Sequence, residues 1–312
     1  MQTPAGRGAL GVTQAYRLGA LKLDSDFDLP ALPGWSGPAN APADVICRGG
    51  RVPIRLSRAT HATPLFQTSG TGECLLVLPG TGRILVRNGN DITVEPEADA
   101  SNMSAILTGP IQAVLWHQRG LLPLHASVVA IRGRVIALCG CGAAGKSTLA
   151  ALLAAQGHSV IADDICVIDA HSGGQVTVQP GYARLQLWPD ALAELGLATT
   201  GLERALAHKE KYFLDCSNCI ASEPHKLAAV VTTAHPALPP ATLERLRGAQ
   251  AADALHDNVH TRRAADALGR APTIFAAFAR MASAGVSFWR LTLPDGKQRL
   301  RDAAKLLAAL EE

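Results

Sequence analysis

Aromatic residues are scarce in this sequence: Phe, Trp and Tyr together make up 4% of its 312 residues. Few side chains are therefore available to stack on unpaired bases, which argues against single-stranded nucleic acid as a partner. The net charge is also small, at +3 with histidine neutral. A charge of that size predicts neither a nucleic-acid partner nor a membrane partner.

Long apolar runs and an export signal are absent as well. The best candidate for a membrane span, residues 126–139, is interrupted by Arg132 and Arg134 and falls short of the roughly 18 apolar residues required. Arg7 near the N-terminus is not followed by the apolar segment and cleavage site of a signal peptide. The cysteines number seven, an odd count, so free thiols are favoured over a disulfide framework. We therefore expect a cytoplasmic protein.

The chain does have the apolar content for a sizeable core, with 48% hydrophobic and 18% charged residues. Its length favours two domains. Short apolar runs between turn signals predict a small, mostly antiparallel β-rich domain over residues 16–118, after a flexible tail at 1–15. The predicted strands of this domain are 43–47, 74–78, 83–86 and 91–94. Asn88-Gly89-Asn90 between the last two predicts a hairpin.

From residue 119 to 312 strands and helices alternate, which predicts an α/β domain. The predicted strands are 128–131, 135–139, 160–162 and 166–169, and the predicted helices are 111–119, 146–156, 189–197, 242–254 and 297–310. Arg132-Gly133 is expected to turn the first two strands into a hairpin.

A single glycine-rich motif suggests the chemistry of this domain. Residues 140–147, Gly-Cys-Gly-Ala-Ala-Gly-Lys-Ser, match G-x-x-x-x-G-K-[ST] between a predicted strand and a predicted helix. In such a P-loop, backbone amides and the helix N-terminus bind phosphate, the lysine contacts the β- and γ-phosphates, and the serine contacts Mg²⁺. We therefore predict ATP and Mg²⁺ as cofactors. The predicted nucleotide-binding residues are Gly140, Gly142, Ala143, Ala144, Gly145, Lys146, Ser147 and Thr148. A chance match, on the order of a per cent, is the alternative.

Two adjacent carboxylates, Asp163 and Asp164, follow the predicted strand at 160–162. Asp163 comes 17 residues after Lys146, so one helix and one turn are expected to return the chain beside the P-loop strand. One carboxylate can then hold Mg²⁺ and the other can accept a proton from a hydroxyl. The alternative is an ordinary turn or helix cap. His125 is a third candidate, which matters only if the fold brings it beside Asp163.

The order of these features resembles a known family. His125-Ala126-Ser127, a hairpin, the P-loop, Gly157-His158 and Ala162-Asp163-Asp164 are similar to the catalytic domain of HPr kinase/phosphorylase and its HPr-kinase-like relatives. The resemblance covers about residues 120–170. It implies a P-loop kinase domain that transfers phosphate from ATP to a serine hydroxyl of a protein or peptide. The acceptor it implies is an HPr-like protein or a biosynthetic precursor peptide, and a homo-oligomer is possible.

The resemblance also implies roles for individual residues. Asp163 matches the general base, and Lys146 with the amides of residues 142–148 matches the phosphate cradle. Asp164 and Ser147 match Mg²⁺ contacts. His125 matches a histidine near the transferred phosphoryl group.

The sequence departs from the bifunctional members of that family. Those enzymes carry an acidic residue and Ser after the first P-loop glycine, where Cys141 and Gly142 stand, and Glu where Thr148 stands. Their Glu-x-Arg-Gly segment has only Arg184 as its nearest candidate here. A third Mg²⁺ ligand and the reverse phosphorylase activity are therefore left open. The N-terminal region is more similar to shorter HPr-kinase-like proteins, some of which accompany lasso-peptide biosynthesis.

Other features favour ordinary structural roles. Cys216 and Cys219 form a C-x-x-C pair, interpreted as two thiols rather than as zinc or redox ligands. Lys209 or Lys211 could reach phosphate or peptide, and Asn258, Arg262 and Arg263 could act on phosphate. A solvated surface is the plainer interpretation of both groups. The tryptophans are interpreted as core or rim residues, without an aromatic slot for adenine; they are Trp35, Trp116, Trp188 and Trp289.

The favoured function is an ATP-dependent serine kinase with Asp163 as general base. Two alternatives stay open. One is a small-molecule hydroxyl kinase, and the other is a nucleotide-gated peptide-binding protein without transfer activity.

Overall fold

The computed structural model describes residues 13–29, 32–97, 103–142, 144–171, 174–181, 184–206, 209–215, 223–237, 240–294 and 299–310. Within them the chain is a mixed α/β protein with several sheets. It divides into two compact units, Met1–Ile111 and Gln112–Glu312, each with its own sheets. The predicted tail lies largely outside the described residues, and the predicted domain boundary at residue 118 stays a prediction. No helix in the described part of the chain is both long and apolar enough to cross a membrane.

Eight strands form the sheet of the first unit. They are β1 (Gln14–Leu18), β2 (Leu21–Ser25), β3 (Val45–Gly49), β4 (Ala59–Ala62), β5 (Phe66–Ser69), β6 (Cys74–Leu78), β7 (Gly82–Arg87) and β8 (Asp91–Pro96). Their order is β1-β2-β3-β8-β7-β6-β5-β4. All neighbours are antiparallel except β2–β3 and β3–β8, which are parallel. The unit ends with helix α1 (Met103–Ile106) and a π-helical turn, Leu107–Ile111.

The hairpin predicted at residues 88–90 is confirmed as the turn between β7 and β8. Arg87 pairs with Asp91 across it. Asn88 and Gly89 have φ values of 55° and 67°, in the left-handed region that asparagine and glycine adopt most readily.

The second unit contains a nine-stranded sheet, a three-stranded sheet and seven helices among its described residues. The strands of the larger sheet are β9 (Leu122–Leu124), β10 (Ala126–Ile131), β11 (Arg134–Cys139), β12 (Ser159–Ala162), β13 (Cys166–Asp169), β14 (Thr177–Val178), β18 (His225–Ala237), β19 (Thr242–Leu246) and β20 (Ser287–Pro294). The smaller sheet has the order β15-β17-β16 and comprises β15 (Arg184–Leu187), β16 (Arg204–Leu206) and β17 (Lys209–Asp215). The helices are α2 (Gln112–Gln118), α3 (Lys146–Ala155), α4 (Pro189–Glu194), α5 (Gly248–Asp257), α6 (Arg262–Ala267), α7 (Ala271–Ser283) and α8 (Arg299–Ala308).

The larger sheet is covered by helices on both faces. Alternate residues of β11 point to opposite sides, because successive side chains of a strand do so. Ile136 and Leu138 pack in one apolar cluster with residues of α3 and α8, such as Leu149 and Leu300. Val135, Ala137 and Cys139 pack in a second cluster with residues of α5 and α7. Burial on both faces explains why β10 and β11 are nearly continuous apolar runs.

Two expectations about this unit are corrected. The helix predicted over 242–254 is a strand, β19, followed by the separate helix α5. Leu243 and Leu246 have helical spacing, but β19 pairs with β20, and Gly248 has a left-handed φ of 52° that a continuous helix could not contain. The second correction concerns the strand predicted at 160–162, which was expected to lie beside the P-loop strand. This strand, β12, pairs with β10 instead, and β10 separates it from β11.

Candidate active site

The glycine-rich loop, residues 140–147, joins β11 to α3. Gly140 has a φ of 153°, and a Cβ added there would lie 2.0 Å from Thr233 Oγ1, so this position requires glycine. Gly145 has a φ of 79° and directly precedes α3. The N-terminus of α3 therefore points its free N–H groups toward the loop, which favours an anion there. Ala143, a predicted nucleotide contact, lies outside the described residues.

Lys146 is buried at the first position of α3. Its Nζ donates hydrogen bonds to the carbonyl oxygens of Gly140 (2.9 Å) and Cys141 (3.0 Å). Burial lowers the pKa of Lys146, while Asp163 opposes that shift. An ammonium group has three N–H donors, so one remains for a phosphate oxygen.

Asp163 follows β12 and lies directly behind the loop. The antiparallel register of β10 and β12 pairs Val128 with Ala162 and so brings Ser127 next to Asp163. Asp163 Oδ1 accepts hydrogen bonds from Ser127 Oγ at 2.6 Å and from Ser147 Oγ at 2.9 Å. Its Oδ2 accepts one from the backbone N–H of Gln186 at 2.9 Å.

Burial dominates the electrostatics of Asp163, which is 7% exposed. It raises the pKa of the carboxyl group, and the charge of Asp164 adds to the rise. The hydrogen bonds from Ser127, Gln186 and Ser147 act in the opposite direction because they favour the ionised form. Asp163 is thus a buried carboxylate whose charge depends on three donors.

Asp164 turns away from Asp163 toward His125. Asp164 has a φ of 68°, and its side chain is 29% exposed. His125 Nδ1 lies 3.1 Å from the carbonyl oxygen and 3.6 Å from Oδ1 of Asp164. Since a carbonyl oxygen only accepts, this contact places the N–H of the ring on Nδ1 and leaves Nε2 as an acceptor. The pairing of Leu124 with Cys166 brings these segments together, so His125 contacts Asp164.

His125 belongs to a cluster of three histidines. Its ring meets the ring of His260 edge to face, with 5.8 Å between centroids. His117 Nε2 lies 2.9 Å from the carbonyl oxygen of His260. Burial lowers the pKa of all three rings, that of His260 to about 4, and the charge of Lys146 lowers the pKa of His125 further.

Eight of the predicted site residues line one cleft in the second unit, while Gly140 is not on its wall. Those on its wall are His125, Gly142, Ala144, Gly145, Lys146, Ser147, Thr148 and Asp164. Asp163 lies behind Ser147 and Gln186, both of which line the cleft. The wall also includes Trp188, which is 38% exposed, and Lys211, whose Nζ is 5.6 Å from the centroid of the Trp188 ring.

Other candidates are placed elsewhere. Arg184 forms ion pairs with Asp215 (2.8 Å) and Glu203 (3.0 Å) and stacks on Phe213, so it serves the three-stranded sheet. Arg262 pairs with Asp257 at 2.9 Å, and the Asn258 carbonyl accepts a hydrogen bond from the N–H of His125. The residues on the wall of the cleft do not include Asn258, Arg262 or Arg263. Cys216, Cys219 and the side chain of Lys209 lie outside what the structure describes.

Sequence reasoning missed four contributors to the site: Ser127, Gln186, His260 and Arg299. Only Ser127 had a signal, since it stands in the same short segment as His125. Gln186 contributes its backbone N–H, which every residue except proline carries, so the residue type gives no signal of this role. Arg299 lines the cleft, and its guanidinium group lies 3.7 Å from the carboxylate of Glu194. These two residues are far apart in the sequence, so no local pattern could predict the contact.

No protein-family model and no curated protein matches the sequence. Among solved structures the chain is similar to the Hpr(Ser) kinase/phosphatase from Coxiella burnetii, with 11% sequence identity and a TM-score of 0.34. The alignment covers 60% of this chain and 95% of that chain. A likeness at this level carries no argument, so the function of the cleft has to be inferred from its own residues.

Proposed function

We propose that this chain is an ATP-dependent kinase that transfers the γ-phosphoryl group to a serine hydroxyl of a protein or peptide. The observation that carries the proposal is the 2.9 Å hydrogen bond from Ser147 Oγ to Asp163 Oδ1. It joins the end of a G-x-x-x-x-G-K-S loop to a buried carboxylate that directly follows β12. Phosphoryl-transfer sites of the P-loop class need this combination of phosphate cradle, hydroxyl and carboxylate.

The loop supports ATP as the phosphate donor. Its glycines permit a backbone that approaches phosphate oxygens closely, and α3 adds the positive end of its dipole. Lys146 keeps one N–H free of the loop carbonyls for a β- or γ-phosphate oxygen. Positioning and charge stabilisation of this kind account for most of the catalysis in phosphoryl transfer.

The donor set supports Mg²⁺ as the metal. Ser147 and Asp164, both on the wall of the cleft, offer a hydroxyl and a carboxylate oxygen, which Mg²⁺ prefers, and Mg²⁺ sites commonly use one or two carboxylates with substrate phosphates. When bound, Mg²⁺ neutralises charge on the phosphate oxygens. Ser147 would exchange its hydrogen bond with Asp163 for a contact with the ion.

Asp163 is proposed as the general base. Burial raises the pKa of its carboxyl group, and a base works better when its pKa is nearer the operating pH. In this structure Asp163 already accepts hydrogen bonds from two serine hydroxyls. An acceptor hydroxyl would take the position that the Ser147 hydroxyl occupies at Oδ1, and Ser127 would hold the carboxylate in place.

Serine as the acceptor is supported by the resemblance of the segment from His125 to Asp164 to serine kinases. A peptide rather than a small molecule is supported by the wall of the cleft, where the exposed ring of Trp188 and the ammonium group of Lys211 offer contacts to a chain.

Single-turnover transfer from γ-labelled ATP to serine-containing peptides tests this function. We expect phosphoserine with the wild type and a loss of about 10²–10⁴-fold with Asp163→Asn, the usual contribution of a general base. ATP binding should survive in this variant. Asp253→Asn, which changes an exposed aspartate on α5, serves as the control and should transfer normally.

Other outcomes would overturn parts of the proposal. Transfer to a small molecule alone would indicate the first alternative function, and ATP-dependent peptide binding without transfer would indicate the second. If Asp164→Asn abolishes transfer and Asp163→Asn does not, the base is Asp164, which lines the cleft beside His125.

A further inference from the structure

A second cavity lies in the first unit, and its lining includes none of the residues of the proposed kinase site. Its volume is about 470 Å³. It is bounded by the end of β3, the segment that follows β3, and residues of β7 and β8. Four arginines line it: Arg48, Arg51, Arg55 and Arg87.

The charges around this cavity do not balance. Arg48 and Arg87 share one carboxylate, that of Asp91, at 3.5 Å and 3.2 Å. Arg51 and Arg55 are exposed and form no ion pair with a described residue. Two guanidinium groups on the wall are therefore available to an incoming anion.

The acidic side chains nearest this cavity are already engaged. Glu73, on the wall, accepts hydrogen bonds from the hydroxyls of Ser69 and Thr71 at 3.1 Å and 3.4 Å. The charge of Arg51 helps to lower the pKa of Glu95. Glu95 pairs with Arg83 at 2.9 Å and accepts a hydrogen bond from the N–H of Val52 at 2.7 Å. Glu73 keeps its charge in these contacts, but four arginines outnumber it among the described lining residues, so the wall of the cavity is positive.

We propose that this cavity binds an acidic peptide segment. A guanidinium group presents parallel N–H donors that match a carboxylate, and several of them around one concave surface favour a run of Asp or Glu side chains. Leu56 and Leu85 on the wall add apolar contact, and Ile54, next to the cavity, is 71% exposed. A peptide, which carries both carboxylates and apolar side chains, matches both features.

The same surface fits nucleic acid less well. Among the residues that the structure describes, the lining includes no aromatic side chain on which a base could stack. The four arginines surround one concavity, whereas a surface that follows a phosphate backbone usually presents its positive charge along a stripe. The inference concerns the first unit alone and does not depend on the kinase function of the second.

Fluorescence anisotropy with the full chain tests the proposal. The probe is a fluorescein-labelled Glu-rich peptide, compared with a matched peptide in which every Glu is replaced by Gln. We expect the acidic peptide to bind at least about tenfold more tightly, with an affinity that falls as salt is added. The double variant Arg51→Gln/Arg55→Gln should weaken binding by about tenfold or more, and both residues are exposed, where substitutions usually change stability little.

Arg58→Gln is the matched control, because Arg58 is exposed and close in sequence but does not line the cavity. It should leave the affinity unchanged. Three results would overturn the proposal: equal affinity for both peptides, equal weakening by Arg58→Gln, or tighter binding of a single-stranded oligonucleotide than of the acidic peptide. None of these results depends on phosphoryl transfer, so the proposal can fail while the kinase function stands.

Discussion

Ser127 Oγ donates a hydrogen bond of 2.6 Å to Asp163 Oδ1, and both side chains are buried. The contact results from the antiparallel register of β10 and β12, because Ser127 and Asp163 are 36 positions apart in the chain. Ser127 therefore stabilises the ionised form of the carboxylate proposed as the base, and its loss would leave that charge with two donors instead of three.

Ser127→Ala should lower the free energy of unfolding by about 1–3 kcal/mol, the usual effect of removing a hydrogen bond to a buried charged group. Because the lost bond favours the ionised form, the pKa of Asp163 should rise further and the variant's deficit should be larger at pH 8 than at pH 5. Urea unfolding at both pH values measures this. The rate of phosphoryl transfer should also be lower in Ser127→Ala than in the wild type.

Ser287→Ala is the control for that experiment. Ser287 is also buried in the same sheet, at 8% exposed, but donates to a backbone carbonyl, that of Ala228, at 3.4 Å. The loss in free energy of unfolding caused by Ser287→Ala should be the same at the two pH values. A deficit of Ser127→Ala that is the same at both would show that the serine contributes packing alone.

Lys146→Ala should weaken ATP binding by about tenfold to a hundredfold, because a charge-assisted hydrogen bond to phosphate is lost. Titration with a fluorescent ATP analogue measures the affinity. Lys305→Ala, on the exposed side of α8, removes the same charge where no phosphate is expected and should bind normally. Unchanged affinity of Lys146→Ala would contradict the assignment of the loop.

The local parts of this structure could be predicted from the sequence, and the long-range pairings could not. The hairpin at Asn88, the turn at Arg132-Gly133 and the strand–loop–helix around Lys146 depend on residues close in sequence, and each is present. Spacing alone also indicated that Asp163 would approach the loop, which its bond with Ser147 confirms.

Sheet order was the main error, because it depends on which distant strands pair. The sequence suggested that β12 lies beside β11, but β10 lies between them, and only for that reason does Ser127 reach Asp163. Likewise β19 is a strand because β20 offers it a free edge, although Leu243 and Leu246 have helical spacing. Trp188 reaches the wall of the cleft through the turn between β15 and α4.

Gly181→Ala should disturb the site through packing alone. A Cβ at residue 181 would lie 2.6 Å from the Cβ and 2.8 Å from the Cα of Ala162, the residue before Asp163. Because one of these atoms is backbone, β12 must shift, at a cost of about 1–3 kcal/mol. The midpoint temperature of thermal unfolding and the rate of phosphoryl transfer should both fall. Gly174→Ala, where the added Cβ meets open space, should change neither, and a normal Gly181→Ala would show that the segment moves aside freely.

The buried histidines should make stability depend on pH. Burial lowers the pKa of His260 from its ordinary 6.5 to about 4. Between these values the unfolded chain binds more protons than the folded one, so stability is present above pH 6.5 and is lost as the pH falls toward 4. From pH 7.5 to 5 the contribution of His260 is about 2 kcal/mol.

His260→Gln should therefore lose less stability over that range than the wild type, by about 2 kcal/mol in urea unfolding. His171→Gln provides the comparison, because His171 is 61% exposed and contacts Asp169 rather than the cluster. It should follow the wild-type pH dependence. Since His117 and His125 also have lowered pKa values, some pH dependence should persist in His260→Gln. If His260→Gln and the wild type lose stability equally, His260 has the same pKa in the folded and the unfolded chain, and burial does not lower it.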